Sequence, residues 1–400
     1  MTAIQWKDKQ EEIENILKLR AEGYSLREVA NVTAKRLKRK CTVNQIYHVI
    51  LTYGPDAEID DSVTGKSLVT TRRSQINARE ANAKVRKIAD LVMSQDDVLK
   101  EFRKLVKSVK SRKPVKKRKK KKGSTDMTVE LLFSDWQVGK RSANYNSDIA
   151  IKRIKEYSKC AVDEILRKAD QGYNVERIVL VLLGDIIESA EKATQKGSPG
   201  SVDCSTPEQL RLSIQHLFLD VIAPLAELGC ELEVVAVPGN HDHIGPGIIH
   251  YNPGKEHMSW TIYKSLELLS EQSGLDVSFN VPEGYFTTVD YYGQTALYEH
   301  GYGLAATETA LNNRRNERMR QMQKYISYFR MGDKHNICRF NDDSLVVNGA
   351  FFGADDTGSE YSSIAGYSSI ASQLMFFHVP RRDERKTIYD SYSIQLHHIK

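Results

Sequence analysis

The sequence predicts an α/β body preceded by a small all-α module, and three observations carry that expectation. Five short apolar runs each end in a residue able to hold a cation: LLFSDWQVG (131–139), VLLGDIIE (181–188), VVAVPGNHD (234–242), ALYEHG (296–301) and YFRMGDKH (328–335). The first fifty or so residues instead show helical periodicity with two capping boxes. Charge is also divided: residues 1–126 hold 31 Lys and Arg against 16 Asp and Glu, a net +15, whereas residues 127–400 hold 27 against 36, a net −9. A basic front on an acidic body points to a polyanion-binding module, most simply for nucleic acid, joined to a carboxylate-rich site. The expected division is a DNA-binding module over 1–57, a helical arm and basic linker over 58–126, and a catalytic body over 127–400.

Taken in chain order, residues 5–20 form an amphipathic helix with Ile13, Ile16, Leu17 and Trp6 on one face. Gly23-Tyr24 breaks it. Ser25-Leu26-Arg27-Glu28 then has the spacing of a capping box, and Leu26, Val29, Ala30 and Leu37 mark the apolar face of a second helix. Thr42-Val43-Asn44-Gln45 opens a third, running through about Leu51. Three short helices so spaced resemble a helix-turn-helix, whose last helix would enter the major groove and offer Asn44, Gln45, Tyr47 and His48 to bases or phosphates. A helical bundle serving homodimerisation is the alternative. Residues 55–66 are acidic and turn-rich, as a linker is, and 74–110 look helical with few large apolar residues. Lys113 to Lys122 place eight positive charges in ten residues, including Lys116, Lys117, Arg118, Lys119 and Lys120. Such a run stays solvated and suits salt-dependent contact with a phosphate backbone; a nuclear-import signal or a solubilising tether reads the same way.

The body supplies the chemistry. Strands running in one direction deliver their carboxyl-end loops to one rim, where α/β folds bind ligands. Asp135, Gln137, Asp185, Asn240, His241, His300, Asp333 and His335 all fall just past candidate strands. One Gly-Asp after a strand is ordinary turn chemistry; five such endings in order, with the rare Gly239-Asn240-His241-Asp242, suggest a shared metal site. His243, His250 and His257 follow in a Gly/Pro-rich loop, and Arg314, Arg315, Arg318 and Arg320 sit on a candidate helix. For both groups a surface position is the simpler reading. Further strands are expected at 344–352, 373–380 and 390–396, with a Gly/Ser-rich surface loop over 353–372.

The series Asp135-Trp136-Gln137, Gly184-Asp185-Ile186-Ile187-Glu188, Gly239-Asn240-His241-Asp242, His300 and Gly332-Asp333-Lys334-His335 resembles the calcineurin-like metallophosphoesterase superfamily, over roughly residues 128 to 340. Gln137 and Asp333 depart from the family pattern, which has histidines there. The resemblance implies two packed sheets flanked by helices and two divalent ions bridged by Asp185. One ion would be held by Asp135, Gln137, Asp185 and His335, and the other by Asp185, Asn240, His300 and Asp333. It implies that His241 sits beside the ions without chelating them and protonates the leaving oxygen or stabilises the transition state. Asp242 could orient that imidazole, as carboxylates do for many catalytic histidines, and Glu188 is placed behind the ligands rather than among them. An amide and a carboxylate in place of two imidazoles make the site oxygen-rich, which favours Mn²⁺, or Mg²⁺, over Zn²⁺. Gln137 and Asp333 could otherwise mark a weakened site.

The family's DNA-repair nucleases share the G-N-H-D form. With the amino-terminal module, this makes a metal-dependent DNA nuclease of phage type the leading expectation, the last step by analogy. A phosphatase or small-molecule phosphodiesterase is the second expectation, and a DNA-binding regulator or assembly factor with a degenerate metal site the third. No apolar run approaches a membrane span. The charged amino terminus is unlike a secretory signal, and five scattered cysteines suit reduced thiols. A cytoplasmic setting is therefore expected (that of the host, for a viral protein), with a nuclear one compatible with the basic run.

Overall fold

The computed structural model describes residues 6, 9–54, 120, 123–189, 202–241, 243, 254–354, 369–380 and 386–400. The expected linker at 55–66, the helical arm at 74–110, the basic residues Lys116, Lys117, Arg118 and Lys119, and Asp242 and His250 lie outside the described residues. The chain forms two compact units, Met1–Ile88 and Ala89–Lys400.

The first unit contains α1 (Gln10–Ala21), α2 (Leu26–Arg36) and α3 (Val43–Tyr53), and the last two start where the capping signals require. The Ser25 side chain accepts from the Glu28 amide while Glu28 returns to the Ser25 amide, and Thr42 and Gln45 make the same reciprocal pair. Each box satisfies amide groups that a helix start leaves without partners. Ile13, Ile16, Val29, Ala30, Ile46 and Val49 fill the small core, with Trp6, Leu17 and Leu26 packed at its edge.

The second unit is α/β, with two sheets and flanking helices. Strands β1 (Thr125–Phe133), β2 (Tyr173–Leu182), β3 (Glu231–Ala236) and β4 (Val277–Asn280) run parallel, and β10 (Ser372–His378) and β11 (Ile388–Gln395) extend that sheet antiparallel, in the order β11-β10-β1-β2-β3-β4. The second sheet has the order β5-β6-β7-β9-β8, built from β5 (Phe286–Tyr291), β6 (Gln294–Glu299), β7 (Tyr328–Met331), β8 (Cys338–Phe340) and β9 (Leu345–Val347). Within it β6, β7 and β9 are parallel. Parallel neighbours need long crossovers. These are α4 (Ser147–Asp170) after β1; α5 (Thr206–His216), continuing through a π-helical turn (Leu217–Ile222) into α6 (Ala223–Ala226), after β2; α7 (Met258–Ser273) after β3; and α8 (Glu308–Met322) after β6.

Alternation along the strands separates the layers. Met127, Val129, Leu131 and Phe133 of β1 pack with Ile154 and Tyr157 of α4 and Phe218 of the π turn. Leu132, Val179, Val181 and Val235 instead join Ala296, Tyr298, Tyr328 and Phe376 between the sheets. Leu297, Phe329 and Met331 close on Leu311 of α8. Where both faces are covered, in β1, β7, β9 and β10, the strands are buried along nearly their whole length.

The strand expected over 344–352 is shorter, ending at Val347. There the buried Asn348 turns its side chain to the first sheet: its Oδ1 accepts from the Leu374 amide at 2.9 Å and its Nδ2 donates to Ser134 Oγ at 3.0 Å. All five cysteines are free. Among the described residues no helix is long and apolar enough to cross a membrane.

Candidate metal centre

The carboxyl ends of β1, β2, β3, β6 and β7 meet, and they bring together all seven metal-ligand candidates and His241. The loops after β1 and β2 run side by side: the amides of Asp135, Gln137 and Val138 donate to the carbonyls of Gly184, Asp185 and Ile186 at 3.2, 2.9 and 3.1 Å. Asp135, Gln137, Asp185, Asp333 and His335 all have positive φ, between 43° and 67°, and they are five of the twelve non-glycine residues so placed among those described. Left-handed backbone at side chains of this size is costly and tends to be kept where function needs it. Glycines allow the loops to close. A Cβ on Gly239 would lie 2.1 Å from Asp185 Oδ1, and one on Gly184 would lie 2.7 Å from Gly239 Cα.

Asp185 sits at the middle. Its Oδ1 accepts from the His241 amide at 2.9 Å. Its Oδ2 lies 3.4 Å from Gln137 Nε2 and 3.2 Å from His300 Nε2. One side of the centre holds Asp135, Gln137 and His335, with His335 Nε2 3.5 Å from Asp135 Oδ1 and 3.3 Å from Gln137 Nε2. The other holds Asn240, His300 and Asp333, with His300 Nε2 3.0 Å from Asn240 Oδ1 and 3.7 Å from Asp333 Oδ1. His300 Nδ1 lies 2.6 Å from the Leu183 carbonyl, so it donates there and leaves Nε2 directed at the centre. Ligand atoms of Asp135, Asp185 and His300 all lie within 4.8 Å of one another.

The electrostatics fit a cation site. Burial pushes the Asp185 carboxyl up, yet the neighbouring imidazoles of His300 and His241 pull it well below the usual carboxylate range. Burial pulls the His300 imidazole down, and Asp185, with Asp135 and Asp333, overrides that and raises it. A divalent cation would take the place of the Nε2 proton among these converging carboxylates. Asp135 Oδ1 and Gln137 Oε1 are buried and accept no hydrogen bond. Buried acceptors are seldom left so, and an oxygen-binding cation at this position would satisfy both. The donor set therefore fits divalent ions, with oxygen in the majority.

Three features were not legible as motifs. Glu188 Oε2 lies 3.0 Å from His241 Nδ1, the contact of an orienting carboxylate, a role expected of Asp242. Lys334 Nζ lies 2.6 Å from Asp333 Oδ2. Behind Asp135, Ser134, Asn348 and Gln373 form a buried node, in which the Ser134 amide donates to Gln373 Oε1 at 3.0 Å and Ser134 Oγ to the Gly349 carbonyl at 2.8 Å. That node ties the end of β1 to both sheets.

Of the histidines and arginines read as surface residues, Arg320 is exposed and Arg314, Arg315 and Arg318 are half-buried, whereas the reading is corrected for His243 and His257. His243 and His257 are 2% and 3% exposed, and their rings stack edge to face at 4.9 Å beside Asn240 and His300. The two residues pair through their backbones as an isolated antiparallel bridge. Arg318 is fixed by two 2.9 Å hydrogen bonds to Glu299, and Arg315 by bonds to Asn312 and the Ser327 carbonyl. In the amino-terminal unit Asn44, Tyr47 and His48 are exposed, while Gln45 is half-buried and its Oε1 is engaged by the Thr42 amide at 2.9 Å. Lys120 pairs with Asp126 at 2.6 Å.

No protein-family model and no curated protein matches the sequence. Solved structures are similar at low identity and low TM-score. An archaeal phosphodiesterase aligns over 66% of this chain and 99% of its own, at 11% identity and a TM-score of 0.32. Vps29 from Entamoeba histolytica, complexed with Zn²⁺, aligns over 67% and 99%, at 11% identity and a TM-score of 0.27. A predicted phosphoesterase from Streptococcus pneumoniae aligns over 67% and 98%, at 10% identity and a TM-score of 0.27. Likenesses this slight say nothing of individual residues, and the chemistry rests on the centre itself.

Proposed function

We propose that the chain is a metal-dependent phosphodiesterase that hydrolyses nucleic acid, with DNA as the substrate. The observation that carries this reading is the convergence of two ligand groups on Asp185, one of which contains the orphaned oxygens of Asp135 and Gln137. Asp135, Gln137 and His335 would hold one divalent ion and Asn240, His300 and Asp333 the other, with Asp185 between; the oxygen-rich set favours Mn²⁺. Ions so held supply a nucleophile from water at neutral pH and neutralise charge on the phosphoryl oxygens.

The remaining work belongs to the chain. His241 Nδ1–H donates to Glu188, which directs Nε2 toward the centre, 3.7 Å from Asp185 Oδ2. From there Nε2 delivers a proton to the departing oxygen. The Ser134–Asn348–Gln373 node keeps Asp135 in register. DNA is favoured as substrate by the basic segment 1–126, by the exposed face of α3 with Asn44, Tyr47 and His48, and by the lysine-rich run that ends at Lys122.

The Lys334–Asp333 ion pair favours a second reading, in which the Asn240 side binds its ion weakly and the protein regulates or assembles on DNA. Incubation of end-labelled single- and double-stranded DNA with Mn²⁺, beside Asp185→Ala, separates the two. Cleavage that is metal-dependent and lost in the variant supports the nuclease. Salt-sensitive binding without cleavage supports the regulator.

A further inference from the structure

A cavity of about 180 Å³ opens beside the centre, and Asn240 and His300 belong to its wall. Its other walls include His243, His257, Tyr285, Tyr302, Glu299 and Arg318. The imidazoles are held as a pair by the His243–His257 backbone bridge, and His257 meets Tyr285 edge to face at 5.8 Å. Arg318 lies over the Phe286 ring at 4.1 Å and is held by two hydrogen bonds to Glu299. We propose that this cavity is the subsite for one unstacked nucleobase of the strand being cut; the proposal rests on the phosphodiesterase reading and names its substrate as single-stranded or frayed.

Size, chemistry and position agree. A cavity of about 150 Å³ accepts a benzene ring, so this one has room for a single heteroaromatic ring with its exocyclic groups. Imidazole and phenol rings offer π faces and edges that any base can use. The Glu299–Arg318 pair and the tyrosine hydroxyls offer acceptors and donors to the polar edge of a base, which an alkyl leaving group would leave unused. Burial, with Glu256 nearby, pushes the Tyr285 hydroxyl up to about 12, so it is a donor throughout the neutral range. Asn240 and His300 are shared between the two sites, so a nucleotide whose phosphate rests at the centre can place its own base in the cavity. A base paired and stacked within a duplex cannot reach it without being extruded.

Calorimetric titration of the full-length protein with thymidine, beside 2-deoxyribose and with no metal added, tests the cavity apart from the reaction. Thymidine is expected to bind and deoxyribose not to. Tyr285→Ala and His257→Ala should each weaken thymidine about tenfold or more, whereas Tyr285→Phe, which keeps the ring, should stay within about threefold. Thymidine that binds no better than the sugar, or equally well to Tyr285→Ala, overturns the subsite. Titration with Mn²⁺ alone tests the underlying reading separately: thymidine binding without Mn²⁺ binding would overturn the phosphodiesterase and support the cavity as a base site. In the Mn²⁺-loaded protein, single strands should be cut at least about tenfold faster than blunt duplex, and equal rates would contradict the requirement for an unstacked base.

Discussion

A histidine that hands a proton to a departing oxygen needs its ring fixed, and Glu188 provides this for His241 through the 3.0 Å contact to Nδ1. His241→Ala is expected to keep the metal ions and lower kcat by about 10²- to 10⁴-fold; Mn²⁺ titration and single-turnover rates on the same preparation check both halves. Glu188→Gln retains a hydrogen-bond acceptor but not the charge, and should lower kcat by about tenfold or more with Mn²⁺ affinity little changed. If Glu188→Gln were fully active, the orienting role would fall to another group. The positions that converge on the centre were legible because each follows a short apolar run read as a strand, so type and place coincide. The Glu188 contact was not, since it depends on how far the loops after β2 and β3 approach. The burial of His243 and His257 was hidden for the same reason: a histidine in a Gly/Pro-rich loop carries no sign of which way the loop folds.

At the scale of elements, the loop after β3 approaches Asp185 so closely that no side chain fits at Gly239. Gly239→Ala would drive a methyl group into Asp185, and the expected outcome is lost Mn²⁺ binding with a lower Tm, checked by calorimetry and thermal unfolding. The starts of α2 and α3 rest on side chains: Thr42→Ala should destabilise α3 by about 1 kcal/mol, seen as an earlier loss of far-UV helical signal. Both boxes were legible, since Ser or Thr followed three residues later by Glu or Gln carries its mechanism in its spacing. Ends were less so. The first helix begins at Gln10 rather than residue 5, and β9 stops at Val347. Asn348 breaks the strand by bonding across to β10, a partner no local pattern names. The π turn after α5 likewise has no sequence mark.

For the whole molecule, the two sheets of the second unit are joined by more than apolar packing. Glu130 of β1 is fully buried with Arg330 of β7 at 3.1 Å, His378 of β10 at 3.1 Å and the Tyr298 hydroxyl of β6 at 2.7 Å. Burial pushes the Glu130 carboxyl up, but Arg330 and His378 bring it down to about 2. Its unfolded value is 4.5, so its contribution of roughly 3 kcal/mol is complete above about pH 4.5 and is lost as pH falls to 2. Burial lowers the His378 imidazole, so it too favours the fold above its ordinary pKa of 6.5 and less below it. Arg330→Met leaves a buried carboxylate without its guanidinium and should cost about 3–5 kcal/mol at pH 7, measured by urea unfolding. The division of charge makes a separate prediction. Replacing Lys116, Lys117 and Lys119 by Ala should weaken DNA binding and flatten the slope of its salt dependence by up to about 0.9 for each phosphate no longer neutralised.

The central claim is that two groups of ligands meet at Asp185, and Mn²⁺ stoichiometry tests it most directly. Titration of the full chain, followed by calorimetry and by the paramagnetic resonance of free Mn²⁺, is expected to give two bound ions in the wild type and none held tightly in Asp185→Ala. Two ions retained in that variant, or none in the wild type, would contradict the account.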